Sequence, residues 1–450
     1  MRSLLNTFLF LALVAALVSA APGRIQKRSF KVARSPNANF KGRNGPRELM
    51  KAYRKYSMPL PPALLEAIQR QNTASAAEET QSRARARRHR GKGRPITDEG
   101  GCTTGDNSIV DDNGTGNGTG NGSAGVGLVT ATPESGDVEY LSPVTIGGQT
   151  LNLDFDTGSS DLWVFSTQLG ETSTHGHTVF DTQKSTTHKV LKGARFSISY
   201  GDGSGAAGNV ITDTVTIGGV SVENQAVELA TAVSRSFVED TANNGLVGLA
   251  FSQLNTVTPQ QQKTFFENVL PSLAEPVFTA DLRKDAVGAY EFGRIDQDKF
   301  VGDITWIPVN TTQGFWQFST KSFAVGNNKT QAAPPAQAIA DTGTTLLLTS
   351  AEVAKNYYSQ VRGARNDAQA GGITFPCDAE LPDLMLDVGG LYMARVKGSD
   401  INFAKVQGNT CFGGVQPTTS DLQIWGDVFF KSQFVAFNAG NNTLGMAEHI

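Results

Sequence analysis

The residues that usually build metal and redox centres are scarce: 450 residues hold three cysteines and five histidines. His175 and His177 make no convincing zinc set and read as solvated surface residues. No P-loop, His-Glu-x-x-His or Gly-x-Ser-x-Gly segment occurs, so the chemistry implied by those motifs is not indicated and no cofactor or metal is implied. Long apolar runs are equally rare. Leu4 to Leu17, behind Arg2, is too short to span a bilayer, and Val18-Ser19-Ala20 offers small residues for cleavage. Residues 1–20 therefore read as a secretory signal peptide, removed on export. The chain ends on Ala447-Glu448-His449-Ile450 without a hydrophobic tail, which predicts release into the extracellular space rather than membrane attachment.

Charge is not missing overall but is divided. Residues 1–121 carry 20 Lys and Arg against 9 Asp and Glu, whereas residues 122–450 carry 19 against 33. A basic leader and an acidic body suggest an electrostatic clamp. The basic block Arg83 to Arg94 lacks interleaved aromatics, so nucleic acid is not an expected partner. Lys27-Arg28 and Arg87-Arg88 are dibasic processing sites, and residues 21–97 read as a propeptide. Residues 98–121 are rich in Gly, Asn and Thr, cannot bury enough surface to fold and read as linker. Asn113, Asn117, Asn121, Asn310, Asn328 and Asn441 each open an Asn-x-Ser/Thr sequon, a glycosylation signal in a secreted protein.

What is present is a duplication. Phe155-Asp156-Thr157-Gly158-Ser159-Ser160 and Ala340-Asp341-Thr342-Gly343-Thr344-Thr345 lie 185 positions apart. Each ends an apolar stretch with an acid, a hydroxyl and a glycine, a pattern suited to holding a carboxylate in a tight turn. After each copy comes a second echo, Leu246-Val247-Gly248 and Ile424-Trp425-Gly426, at 90 and 83 positions beyond Gly158 and Gly343. Near-equal spacing implies two related lobes. If the two loops meet, their carboxyls share one proton and act together as general base and general acid. If the strand before Asp156 is regular, Asn152, Asp154 and Asp156 share a face, so Asp154 would also feel the dyad's charge, although an acid near a cleft is more often solvated.

Further segments carry a family likeness: Asp161-Leu162-Trp163-Val164, Tyr200-Gly201-Asp202-Gly203-Ser204, Gly245 to Phe251 and Phe429 to Phe434. From Asp137 to the C-terminus the chain resembles the pepsin-type aspartic endopeptidases, most of all the secreted fungal enzymes of the penicillopepsin and aspergillopepsin group. Asn244 stands where an acid is usual, and Trp425 where a smaller apolar residue is usual. The resemblance implies that Asp156 and Asp341 are catalytic, that Thr157 and Thr342 cross-brace the loops, and that Ser159 and Thr344 hydrogen-bond the outer carboxylate oxygens, with Gly158 and Gly343 completing the turns. It implies that Tyr200, Gly201 and Asp202 form a flap over substrate with Trp163 as aromatic partner, and that a core role suits Trp163 equally. It further implies that Lys55, followed by Tyr56, is the prosegment lysine that sits over the dyad.

Cys377 and Cys411 flank 33 residues and would close a disulfide matching a second-lobe bridge in the resembled enzymes, leaving Cys102 in the linker. Short β-rich runs such as Tyr140 to Ile146, Val210 to Ile217 and Phe434 to Asn438 predict an all-β bilobal pepsin-like fold with few helices and a cleft between two pseudo-symmetric lobes. The lobes are placed at 122–310 and 311–450. Helices are expected over Pro259 to Leu270 and over Thr349 to Val361, the latter opened by a Thr349…Glu352 capping box. Gly203-Ser-Gly205-Ala-Ala-Gly208 matches a dinucleotide fingerprint but continues as strand, which makes it turn chemistry. The expected activity is a secreted, acid-activated, monomeric endopeptidase acting on protein and peptide substrates. It would cut between bulky apolar residues, accept Lys before the cut bond through Asp202, and have its own propeptide as intramolecular inhibitor. The alternative is a catalytically silent pepsin-like binding protein.

Overall fold

The computed structural model describes residues 43–74, 126–133, 139–199 and 204–450. The expected signal peptide, the expected linker, Cys102, Asn113, Asn117, Asn121 and the expected flap residues Tyr200, Gly201 and Asp202 lie outside them. The described chain is mostly β, with thirteen-, seven- and four-stranded sheets and short helices.

The same arrangement is built twice. Strand β1 (Gln149–Asp156) ends on the first acid, the chain loops, and β2 (Leu162–Phe165) leaves antiparallel to β3 (Gly245–Gly248). β3 slots in parallel beside β1, pairing Asp156 with Gly248. In the seven-stranded sheet β4 (Gln331–Ala340), β5 (Leu347–Thr349) and β6 (Leu422–Trp425) repeat this, with β6 parallel to β4 and antiparallel to β5. The recurrent glycine in the two late echoes has a steric cause. A Cβ on Gly248 would lie 2.5 Å from Ser160 Cα, and one on Gly426 would lie 2.0 Å from the Thr344 carbonyl oxygen. Each late strand can therefore press directly against its acid-bearing loop.

The strands predicted at Tyr140–Ile146, Val210–Ile217 and Phe434–Asn438 are all present, the last two inside slightly longer strands. Gly205 opens a strand that pairs back onto Lys189–Ser199, so Gly205 and Gly208 of the fingerprint-like run are strand residues. The last two strands, Gln433–Asn438 and Thr443–His449, join the thirteen-stranded sheet beside Val277–Arg283. Trp425 is fully buried and packs against Phe318 and Phe429. Asn244, also buried, accepts from the Thr178 amide and donates to the Asn152 carbonyl, work a carboxylate could only half perform.

Both helix expectations need correction. The first helix covers only Phe265–Val269, capped by Thr264 Oγ1 on the Glu267 amide, followed by a single 3₁₀ turn at Leu270–Ser272. The preceding residues are held by side-chain contacts instead, the Gln262 amide donating to Asn255 Oδ1. The second helix is Ala351–Ser359, and its cap is Ser350 rather than Thr349. Thr349 ends β5, where its hydroxyl bonds Gln423 Oε1, so it is not free to cap.

The leader contributes helix α1 (Gly45–Lys55), capped by Asn44 and carrying Pro46 in its first turn, and a second helix over residues 62–74. Leu49, Tyr53, Met58, Leu64 and Ile68 share one apolar cluster with Ile339, Leu346, Leu348, Phe403, Phe412 and Ile424. The leader thus buries its apolar face on the second half of the chain.

Cys377 and Cys411 form the disulfide, with Cα atoms 4.9 Å apart, and tie the end of Gly372–Pro376 to the strand Thr410–Gly413. It closes a loop of 34 residues, which a chain-entropy argument values at about 3–4 kcal/mol. Replacing both cysteines by alanine is expected to lower the thermal midpoint by several degrees, measured by calorimetry at fixed scan rate.

Candidate active site

Each acid stands where a strand gives way to a loop, and the two loops are cross-linked by a reciprocal set of hydrogen bonds. The Thr157 amide donates to Thr342 Oγ1 at 3.1 Å, and the Thr342 amide donates to Thr157 Oγ1 at 3.0 Å. Each hydroxyl then donates onward into the other half: Thr157 to the Ala340 carbonyl at 2.8 Å, Thr342 to the Phe155 carbonyl at 2.5 Å. Both threonines are buried, so every one of these groups would be costly to leave unpaired.

This brace brings Asp156 and Asp341 together, 1% and 0% exposed. The Gly158 amide donates to Asp156 Oδ1 at 2.8 Å and the Gly343 amide to Asp341 Oδ1 at 3.0 Å. A Cβ on Gly158 would lie 2.4 Å from Asp341 Oδ1, and one on Gly343 would lie 2.3 Å from Asp156 Oδ1. Only glycine lets each carboxylate reach across to the other's loop. Thr344 Oγ1 donates to Asp341 Oδ2, as the resemblance implied. Ser159 does not do the same for Asp156: its Oγ is buried with no hydrogen-bond partner, while Asp156 Oδ1 is filled by the Gly158 amide and Lys55.

Lys55 ends α1 directly over the pair. Its Nζ lies 2.8 Å from Asp156 Oδ1 and 3.0 Å from Asp341 Oδ1. The Tyr56 hydroxyl donates to Asp341 Oδ2 at 2.6 Å. Burial opposes the ammonium charge of Lys55, but the two carboxylates outweigh it and hold its pKa well above the ordinary value. Burial pushes Asp156 up, Lys55 pulls it down, and the neighbouring Asp341 carboxyl helps leave it above the usual carboxylate range. Asp341 is also pushed up by burial, yet Lys55 and the hydrogen bonds from Asp156, Thr344 and Tyr56 bring it below that range. With the leader in place, their surroundings move the two carboxyls in opposite directions, Asp156 upward and Asp341 downward.

Asp154 lies on the same strand face, as the alternation predicted, but is buried at 7% exposure rather than solvated. A cavity of about 100 Å³ opens between α1 and this strand, lined among others by Lys51, Lys55, Glu139, Asp154, Asp156 and Asn243. No sequence signal singles out Glu139, Asn243 or Phe237 there, because their approach depends on tertiary folding. Trp163 is fully buried against Phe165 and Phe237. His177 stacks on Phe165 with centroids 3.9 Å apart, while His175 is exposed. Among the described residues no three His, Cys, Asp or Glu side chains are grouped to hold a metal ion. Asn310, Asn328 and Asn441 are all exposed.

Residues 139–449 match the family model described as eukaryotic aspartyl protease. The chain is 51% identical to penicillopepsin-1 of Penicillium rubens over 324 residues, covering 71% of this chain and 81% of that protein. It is 43% identical to endothiapepsin of Cryphonectria parasitica over 428 residues, covering 94% and 90%. A putative aspergillopepsin A-like aspartic endopeptidase of Aspergillus fumigatus is 43% identical over 458 residues, covering 98% and 99%.

The brace makes a stability prediction of its own. Thr342→Val keeps the shape but strands the buried Thr157 amide and removes the bond to the Phe155 carbonyl. A loss of about 1–3 kcal/mol is expected, read from denaturant midpoints, whereas Thr312→Val at an exposed loop should cost under about 0.5 kcal/mol.

Proposed function

Because the chain belongs to the eukaryotic aspartyl protease family and is an aspartic-type endopeptidase acting on peptide bonds, we propose that Asp156 and Asp341 are its catalytic dyad and that residues 43–74 hold it latent. The supporting observation is that one ammonium, Lys55 Nζ, touches both carboxylates within 3.0 Å. Carboxyls that close cannot both ionise cheaply without a cation, so once Lys55 leaves they share a proton. A water in the place of Lys55 then gives its proton to the ionised carboxylate as it attacks the peptide carbonyl. The protonated carboxyl donates to the developing oxyanion, and no covalent intermediate forms. A silent binding protein would not need two intact acids, two bracing threonines and the glycines that let the acids meet.

The finer reading follows the sequence. The enzyme is secreted, acts as a monomer, is glycosylated at one or more of its sequons, and cuts between bulky apolar residues. Asp202, beside Tyr200 on the flap, favours lysine before the cut bond by several-fold, since a partly exposed ion pair is worth about 1 kcal/mol. Among the described residues no helix is long and apolar enough to cross a membrane.

Asp156→Asn or Asp341→Asn, in protein released from its leader, should lower kcat on a peptide substrate by roughly 10²–10⁴-fold with the thermal midpoint retained. Near-native turnover at about pH 4 by either variant would remove the dyad assignment.

Latency should depend on pH with a definite sign. Asp341 is held below its ordinary pKa by leader groups, so its contribution to leader binding is present above the ordinary carboxylate range and is lost as pH falls through its depressed value. Proprotein incubated across pH and followed on a gel is expected to stay intact near pH 7 and to mature below about pH 4. Lys55→Met removes the bridging charge and should shift maturation to higher pH; an unchanged profile would contradict the clamp.

A further inference from the structure

A second pair of buried acids lies behind the first acid-bearing loop. Asp161 ends that loop immediately before β2, and Glu228 lies opposite Trp163 on the strand Val220–Val233. They are 3% and 1% exposed. Each shares a strand face with an apolar cluster: Trp163 and Phe165 follow Asp161 at alternate positions, and Ala226 and Ala230 flank Glu228. One nitrogen joins the two acids. Asn255 Nδ2 lies 3.0 Å from Asp161 Oδ1 and 3.1 Å from Glu228 Oε1. Its amide is held in that orientation because Asn255 Oδ1 accepts from the Val257 and Gln262 amides. Asp161 Oδ1 also accepts from the Thr256 amide at 2.8 Å and the Thr256 hydroxyl at 3.0 Å. Glu228 Oε2, by contrast, is buried and faces no donor. A buried acceptor left empty beside a carboxylate that is well supplied with donors marks where a proton sits: once protonated, Glu228 becomes a donor toward Asp161.

Resting on the proposed role of Asp156, we propose that Asp161 and Glu228 are positioning residues: they share one proton, and that proton holds the loop carrying Asp156 in place. The loop is tied down around this pair. The Asp161 carbonyl accepts from the Gly248 amide at 2.8 Å, the Asp156 carbonyl from the Leu249 amide at 2.8 Å and the Ser159 carbonyl from the Ala250 amide at 2.9 Å. Ser160 Oγ donates to the Phe251 carbonyl, and Asn255 Nδ2 also lies 3.2 Å from the Ser160 carbonyl. Asn255 therefore joins the loop to the pair. Loss of the proton leaves two like charges in an apolar core, where they push β2 away from the strand Val220–Val233 and draw the clasp off the loop.

The surroundings supply no cation to relieve those charges. β2, β3 and residues 251–258 carry no charged side chain. The strand Val220–Val233 adds Glu223, which is exposed, and the neighbouring strand Gly205–Ile217 adds Asp213, which Ser185 and Thr187 satisfy. Arg195, whose backbone pairs with Thr258, has an exposed side chain. His177 stacks on Phe165 farther along β2, and Arg235 and Glu239, on the helix whose Phe237 packs on Trp163, pair with each other. Burial raises both carboxyls. At Glu228 the Asp161 charge and hydrogen bond add to that, well above the ordinary range, whereas at Asp161 the bonds from Glu228 and Thr256 oppose it. The folded protein thus keeps a proton that the unfolded chain gives up at the ordinary glutamate value of about 4.3. Its contribution is complete below that value and is lost as pH rises through the raised value of Glu228, when the O–H bond breaks and the proton goes to solvent. Among the described residues neither acid bonds to the leader, so this loss is separate from the clamp on the dyad.

The first measurement uses the full chain and needs no activity. Hydrogen exchange of residues 246–251, corrected for the intrinsic pH dependence of exchange, is expected to lose protection by roughly tenfold or more between about pH 5 and about pH 8 in wild type. The strand Gln317–Val325 of the second half should keep its protection over the same range. Glu228→Gln keeps the shape and a donor toward Asp161 but has no proton to lose, so residues 246–251 should stay protected throughout. Asp161→Asn removes the charge from the other partner and is expected to do the same, which keeps the test open if one variant fails to fold. The second measurement uses acid-matured enzyme, incubated at about pH 7.5 and assayed at about pH 4, each protein against its own starting rate. Glu228→Gln should inactivate roughly tenfold more slowly than wild type, the factor that one unit of raised pKa supplies. Protection of residues 246–251 that is level with pH in wild type, or that falls identically in wild type and variants, overturns the proposal, and so do equal rates of inactivation. A wild type that cleaves no peptide in acid removes the dyad reading instead, and the exchange measurement still decides what the pair does.

Discussion

Two buried carboxyls within reach of one ammonium are an electrostatic problem, and the rest of the molecule is arranged around it. Burial alone pushes both acids toward neutrality, and at Asp156 the neighbouring Asp341 charge adds to that. The fold must therefore force together groups that would separate if free. Hydrogen bonds between hydroxyls and amides of opposite halves do this through the Thr157 and Thr342 brace, and they add no charge to the site. The backbone amides of Gly158 and Gly343 then supply donors at fixed distance without side-chain entropy.

Placing the brace requires loops that are rigid before they meet. Each loop is clasped by a strand arriving some 90 residues later in the first half and some 80 later in the second, which fills the gap between the strand entering the loop and the strand leaving it. Such pairings are of high sequence separation, so the site forms only when each half is largely complete. The halves are not interchangeable. Asp341 carries the Thr344 hydroxyl, whereas Ser159 leaves Asp156 without the equivalent bond, and this asymmetry favours charge on Asp341 as the Tyr56 hydroxyl does, while Lys55 draws charge onto both acids.

Much of this was legible because the chain says it twice. The two Asp-Thr-Gly loops and the two late glycine echoes announced a duplication, and the echoes proved to be the clasping strands β3 and β6. Alternation placed Asp154 beside Asp156 but could not tell buried from solvated, since that depends on α1 and on β3 covering the face. The helix starts were misplaced for a local reason. Thr349 and Ser350 are both competent caps by type, and only the partner strand carrying Gln423 decides which hydroxyl is free. Lys55 was readable through its likeness to a family pattern, whereas Glu48, which accepts from Thr345 Oγ1, had no such signal.

The leader joins two kinds of contact that respond differently to acid. Over the dyad its contacts are polar: Lys55 and Tyr56 on the carboxyls and Glu48 on Thr345. Elsewhere they involve no carboxylate: Leu49, Tyr53, Leu64 and Ile68 are seated against Ile339, Phe412 and Ile424, and Arg43 and Arg70 donate to the Phe403 and Ala368 carbonyls. Protonation weakens the first set and leaves the second untouched, because the second holds no group that gains a proton in acid. Acid on the proposed reading therefore uncovers the dyad while the leader is still anchored on the second half. The dyad is thus exposed next to a tethered peptide segment, and proximity favours the cut that makes release irreversible.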